Sequence, residues 1–380
     1  MSEDVYIVGI DMLRFGRFDD ATPPQLAAAA AVLALDDADL SVQDLQAVYS
    51  GNCGETMVGQ RMLQLIGQTG IPVVNVTNAC ATGATAFREA WIAIRAGLYD
   101  VVLAVGSEKM GKGMLVRRNT GADPVPTEGL FGSATMPAVF AQMGLEHSRK
   151  YGTTLEQFAK VSVKNHHHST LNPKAMYQKE TPLEEVLASE MIAYPNTKLM
   201  CSVNVDGAAA AILCSERRMR ELGLESRAVR VRASGLASDP YTERNLVMPD
   251  ISTVSRLAAR TAYDMAGLGP ADLDLVELHD CFATAEIPHY ENLGLCADGE
   301  GAALLERGET SLGGRIPVNV SGGLLSKGHP LGATGIANIY EVATHLRGEA
   351  GARQVEGARI GLTHVVGIGS ACAVHILERA

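Results

Sequence analysis

A chain of 380 residues with 47% hydrophobic residues and 39 glycines can bury a large core and turns often, so its length suggests two domains, one of them with a large insertion. The formal net charge of −11 argues against nucleic acid or an anionic membrane as the main partner. Seven scattered cysteines with no Cys-x-x-Cys pair fit a reducing compartment better than a disulfide framework or a zinc knuckle.

The acidic start, Met1-Ser2-Glu3-Asp4, runs straight into a strand over Val5–Ile10, with no signal peptide or membrane span expected. The C-terminal Glu378-Arg379-Ala380 is not a peroxisomal address, and a cytoplasmic location is the expectation. An Ala-rich helix follows over about 24–35, then a strand and turn within Asp44–Cys53. A β-favouring run, Ile71 to Val76, leads into Asn78-Ala79-Cys80-Ala81-Thr82-Gly83, and a helical pattern continues from Ala84 to Arg95. Val101–Val105 reads as a buried strand. This βαβαβ alternation implies a parallel sheet covered on both faces. The same buried strand is a candidate for a sheet continuing across a subunit boundary.

From Lys112 to about Leu199 prolines break the pattern, helical stretches such as Leu155–His168 lie between them, and the segment reads as an inserted lid. The division expected is therefore 1–111, an insertion at 112–199, a completing stretch at 200–227 and a second half at 228–380. The second half repeats the first. Val229–Ala233 is a strand and Ser252–Met265 a helix. Asp272–Cys281 matches Asp44–Cys53, Val318–Gly322 echoes Val74–Asn78, Gly332-Ala333-Thr334 echoes Gly83-Ala84-Thr85, and Ile360–Val366 echoes the strand at 101–105. Two matched α/β halves imply pseudo-twofold symmetry with their loops converging beyond the strand ends, where ligands bind.

Four elements with chemistry fall at those ends. Cys80 sits at a strand-to-helix turn, where free N–H groups and the helix dipole are expected to favour the thiolate. His329 follows a Gly-rich turn and is placed by the repeat opposite Cys80, as a base for its thiol. His279-Asp280-Cys281-Phe282 ends another strand, and Gly367-Ile368-Gly369 can bring backbone N–H groups to a reacting carbonyl.

These stretches, with Ser326-Lys327-Gly328-His329-Pro330-Leu331-Gly332-Ala333-Thr334-Gly335, resemble the thiolase superfamily, and His-Asp-Cys-Phe resembles its sterol-carrier-protein-type branch. The resemblance spans nearly the whole chain. It implies an α/β thiolase fold, five-layered αβαβα with two pseudo-twofold-related βαβαβ halves, and reversible Claisen chemistry with acyl-CoA and CoA. No permanently bound cofactor or metal is expected; coenzyme A enters as co-substrate. It further implies Cys80 as the acylated nucleophile and His329 as its activator. His279 and His329 would hold the thioester oxygen, and the Cys80 and Gly367 N–H groups would form the other oxyanion hole. The usual C-terminal catalytic cysteine aligns with Val365, so Cys281 becomes the second acid/base. A homodimer or dimer of dimers is expected from the same resemblance, and no separate sterol-carrier domain.

Other features are discounted. His166-His167-His168 cannot all face one ion from a helix and reads as a polar lid face. Cys53, Cys201, Cys214, Cys296 and Cys372 read as packing residues, and Gly111-Lys112-Gly113 lacks a phosphate-loop context. Lys109, Lys112, Arg117 and Arg118 could meet CoA phosphates or be a solvated face. Two alternatives stand beside a thiolase: a decarboxylating ketosynthase-like condensing enzyme, and a non-catalytic acyl-CoA- or lipid-binding subunit.

Overall fold

The structure is a computed structural model that describes residues 3–111, 135–240 and 251–380. The opening stretch of the expected insertion, with Lys112, Arg117 and Arg118, lies outside the described residues.

In chain order the strands are β1 (Val5–Met12), β2 (Ala47–Gly51), β3 (Val73–Val76), β4 (Val101–Glu108), β5 (Met191–Ala193), β6 (Asn196–Thr197), β7 (Gly207–Ser215), β8 (Val229–Ala237), β9 (Leu275–Glu277), β10 (Ile360–Gly367) and β11 (Ala371–Arg379). The first seven helices are α1 (Pro23–Asp37), α2 (Val58–Ile66), α3 (Thr82–Arg95), α4 (Met136–Tyr151), α5 (Leu155–Ser169), α6 (Leu183–Ala188) and α7 (Glu216–Glu221). The remainder are α8 (Ile251–Ala266), α9 (Ala283–Asn292), α10 (Gly301–Glu306), α11 (Gly323–Ser326) and α12 (Leu331–Arg347).

Nine strands share one order, β3-β2-β4-β7-β1-β8-β11-β10-β9. The order mirrors itself about the β1–β8 junction. There β2 corresponds to β9, β4 to β10 and β7 to β11, while the counterpart of β3 is reduced to a single Val276–Val318 bridge. Among the described residues, only Tyr6–Arg230 and Ile7–Val229 pair across the junction. The two parts of the sheet enclose α3 and α12, which pack on each other and on both parts; α1 covers the outer face of the first, with α2 beside it, and α8 the outer face of the second. That is the five-layered arrangement, and two apolar cores line its halves.

Local sequence accounts for the main pieces. β4 is buried along its whole length, so an unbroken Val/Leu/Ala run suits it. Pro23 and Pro24 open α1, and Thr22 N–H donates to Gln25 Oε1 at 2.9 Å. Thr154 and Gln157 make the reciprocal bonds that open α5.

The central helices meet backbone to backbone. A Cβ on Gly335 would lie 2.2 Å from Ala84 N, and one on Gly106 would lie 2.0 Å from Gly332 O. Only glycine permits this approach. It brings the starts of α3 and α12, and so Cys80 and His329, to one place.

Two expectations need correction. β4 is not at a boundary: it lies between β2 and β7, and among the described residues the outer side of β3 is the unpaired edge of the first half. β3 is also the more exposed strand, with Val74 at 44%. The His166–His168 triplet is not a polar lid face. α5 is packed by α6, α9, α10 and α11, so its last turns are enclosed on several sides. His166 and His168 are buried, bonded to Ser326 Oγ and to the Asn319 carbonyl, and only His167 reaches solvent, beside Glu180.

Candidate active site

Cys80 lies two residues before α3, on a turn whose Ala79 has φ 48°, a left-handed conformation unusual for a residue with a side chain. Thr82 Oγ1 accepts from Asn78 N–H at 2.8 Å, and Thr85 Oγ1 accepts from Asn78 Nδ2 at 3.0 Å, which holds the turn. The repeat places Gly323, with φ 58°, at the position of Ala79. The counterpart of Cys80 is thus Leu324.

Burial pushes the Cys80 thiol up to about 12, and neighbouring Cys53 adds to the effect. Its own N–H and that of Ile368 act in the opposite direction without prevailing. The sequence-based expectation of a favoured thiolate is therefore corrected: the sulfur lies just outside the helix and is almost fully desolvated, and burial outweighs the helix terminus. In the resting site Cys80 is a thiol that needs a base.

His329 is the neighbouring histidine. Its Nδ1 lies 2.7 Å from Thr334 Oγ1, whose own proton is donated to the Pro330 carbonyl at 2.9 Å. The hydroxyl has one proton, so it accepts from Nδ1–H, and Nε2 is left with its lone pair free. Burial, with the Lys327 charge behind it, lowers His329 to about 3, so the ring is neutral.

His279 is fully buried, and among the described residues neither ring nitrogen has a hydrogen-bond partner. Its ring stands edge-on to that of His329 with centroids 5.2 Å apart, and the ring of Phe140 of α4 is tilted against it at 6.0 Å. Burial and the neighbouring His329, His289 and His364 hold it well below the usual histidine range. One donor atom each from Cys80, His279 and His329 lie within 4.8 Å of one another.

Cys281 is 3% exposed and held by Ser202 N–H, which donates to its carbonyl at 2.8 Å. Burial first, then the nearby Cys80 and Asp280, raise its thiol well above the usual value. Asp280 turns away from the site. It accepts from Leu324 N–H at 2.7 Å and from Asn165 Nδ2 at 2.8 Å, tying the His279–Cys281 segment to the start of α11. Gly367 ends β10 against the Cys80 turn, where a Cβ would lie 2.2 Å from Asn78 O. The N–H that reaches the Cys80 sulfur belongs to the next residue, Ile368. Val365 lies in the small apolar cluster around Cys80, and Cys372 is buried on β11.

Several contributors were not singled out from sequence: Thr334, Phe140, Ile368 and Glu108. Buried Glu108 accepts from Cys53 N–H at 2.9 Å and Gly332 N–H at 3.1 Å, so it joins the end of β4 to the first turn of α12. Its signal was available in the Gly106-Ser107-Glu108 strand end. Cys53 packs closer to the site than expected, with Sγ 3.3 Å from Ala79 O and 3.2 Å from Thr82 Oγ1.

Family models for the thiolase N-terminal domain and the thiolase C-terminal domain-like fold match residues 5–191 and 241–379. The chain belongs to the thiolase superfamily. Within it, the chain is 43% identical to sterol carrier protein 2 of Bos taurus over 98% of its own length and 72% of the bovine protein, which sets it in the sterol-carrier-protein branch. It is 41% identical to an acetyl-CoA acetyltransferase of Methanothermobacter thermautotrophicus over 99% of its own length and 100% of that thiolase relative. The solved Ltp2-ChsH2(DUF35) aldolase superposes with a TM-score of 0.85 at 25% identity, covering 99% of this chain and 98% of that one. As a thiolase-superfamily member this protein is an acyltransferase. Among the described residues, no helix is long and apolar enough to cross a membrane.

Proposed function

We propose that the protein is a 3-oxoacyl-CoA thiolase that works through an acyl-enzyme on Cys80. The observation that carries this reading is the convergence of Cys80, His279 and His329 within 4.8 Å in a buried site. His329 Nε2 takes the thiol proton, and the sulfur attacks the 3-oxo carbon. The resulting oxyanion is held by backbone N–H groups of Cys80 and Gly367. Collapse breaks the bond between C2 and C3 and leaves the acyl group on sulfur. The electron pair passes to C2 as an enolate whose thioester oxygen is held by His279 and His329, and Cys281 protonates that carbon. Acetyl-CoA leaves, or propanoyl-CoA from a 2-methyl-branched substrate. CoA then attacks the thioester, its thiol proton passing to the site, and carries off the shortened acyl group. Run backwards, the same residues condense acyl groups.

The segment 112–199 is proposed as the lid that selects the acyl chain, as one of four parts bounded at 111, 199 and 227. Phe140 of that segment already reaches His279. A cytoplasmic homodimer is proposed, formed through the free edge of β3 rather than β4. A thiolysis screen over short, long, 2-methyl-branched and sterol side-chain 3-oxoacyl-CoA esters tests the reading. Turnover of at least one class with CoA-dependent release supports it, and binding of all classes without cleavage contradicts it.

A further inference from the structure

We propose that Cys80, His279 and His329 also bind one soft divalent cation, such as Zn²⁺, which holds the enzyme in a reversibly inhibited state. The donor set is one sulfur and two imidazoles, the kind of set such ions take in four-coordinate sites. The three atoms lie within 4.8 Å of one another. Donors on a tetrahedral zinc ion stand roughly 3.3–3.6 Å apart, given bonds of about 2.0–2.3 Å. Closing the difference from 4.8 Å takes at most about 0.7–0.9 Å of inward movement per side chain.

Two features favour binding. His329 is set for Nε2 ligation, because Nδ1–H is committed to Thr334, the outer partner that a ligating histidine usually has. Among the described residues, neither nitrogen of His279 nor Nε2 of His329 has a hydrogen-bond partner, although His279 is wholly buried and His329 is 3% exposed. Among the described residues no other three-donor His/Cys/Asp/Glu group converges in this way.

On binding, the Cys80 S–H bond breaks, its proton goes to solvent and a sulfur–metal bond forms. The imidazoles give lone pairs without losing protons. No electron is transferred, and the fourth position takes water. The sulfur lone pair that would attack an acyl-CoA is then occupied, so metal and acylation exclude each other.

The test uses the full chain freed of metal by EDTA, with Co²⁺ as the probe. One equivalent of Co²⁺ is expected to give a sulfur-to-cobalt charge-transfer absorption with the intense visible bands of four-coordinate cobalt, and Zn²⁺ should remove both. Iodoacetamide modification confined to Cys80 by mass spectrometry should abolish the signal without any mutation. Cys53→Ser should keep it. His329→Ala should weaken Co²⁺ binding at least about tenfold. Zn²⁺ should slow iodoacetamide labelling of Cys80, and EDTA should restore the rate. No absorption at one equivalent, or absorption that survives Cys80 modification, would overturn the proposal.

Discussion

The two halves of the molecule carry the same scaffold and different chemistry. In the first, the strand-to-helix turn presents Cys80; in the second, the matching turn presents Leu324, whose N–H is bonded to Asp280. Cys53 and Cys281 are likewise repeat counterparts. The Cys53 thiol is engaged with Ala79 O and Thr82 Oγ1 and packs behind the turn. Cys281 instead faces Cys80 from the opposite half. In the proposed mechanism one copy thus carries the nucleophile, and the other supplies the two histidines and a second thiol. A duplicated fold can build a site this way because its central helices meet on glycine and bring both copies' loops to one point.

The largest expected effect separates the two counterpart cysteines. Cys281→Ala should still form the acyl-enzyme, slowly, while steady-state thiolysis falls about 10²- to 10⁴-fold, the usual worth of a positioned acid/base. Cys281→Ser should rescue it only in part, because an alcohol is far less acidic. Cys53→Ala should stay within about tenfold of wild type. Equal losses in the two alanine variants, measured by single-turnover acylation and steady-state rate side by side, would erase the asymmetry between the halves.

Thr334→Val removes the acceptor that fixes the His329 tautomer. Turnover should fall about 10- to 100-fold with KM little changed, the range seen when the outer partner of a functional histidine is lost. A rise in KM alone would show that Thr334 serves binding rather than the base.

Gly335→Ala tests the seam between the halves. The added methyl meets the Ala84 backbone, and a loss of about 1–3 kcal/mol by urea unfolding is expected. An unchanged midpoint would show that the helices can separate freely.

The pH dependence is the subtlest expectation. His329, His364 and His375 are lowered to about 3, in each case first by burial. Between about 6.5, the unfolded value, and 3 the unfolded chain binds protons that the folded chain does not. Their stabilisation is thus full above pH 6.5 and is lost as pH falls through that window. Urea midpoints should decline from pH 6.5 downward, while the single-turnover acylation rate shows no acid limb near 6.5. An acid limb at that value would mean that His329 titrates as an exposed histidine.

Much of this was legible in the sequence because it is written in local patterns. The repeat showed through matched strands and Gly-rich turns, and Cys80, His279, Cys281 and His329 stood at strand ends. Three-dimensional contacts were not legible. The terminal strand β9 is only three residues long, and the interior strand β11 was not anticipated, because strand extent and pairing are set by neighbours in the sheet. The burial of His166 and His168 depends on helices distant in sequence. The high pKa of Cys80 follows from desolvation, which a helix-end argument ignores. The partnership of Thr334 with His329 spans five residues and could have been read, since His329 just precedes α12 and Thr334 lies in its first turn.

The most direct test of the central claim is intact-protein and peptide mass spectrometry after acid quench of the wild-type chain mixed with a 3-oxoacyl-CoA in the absence of free CoA. The account predicts one acyl group per chain as a thioester on Cys80, released on adding CoA. An acyl group on Cys281 or Cys53, or turnover by a chain whose Cys80 was carbamidomethylated beforehand, would contradict it.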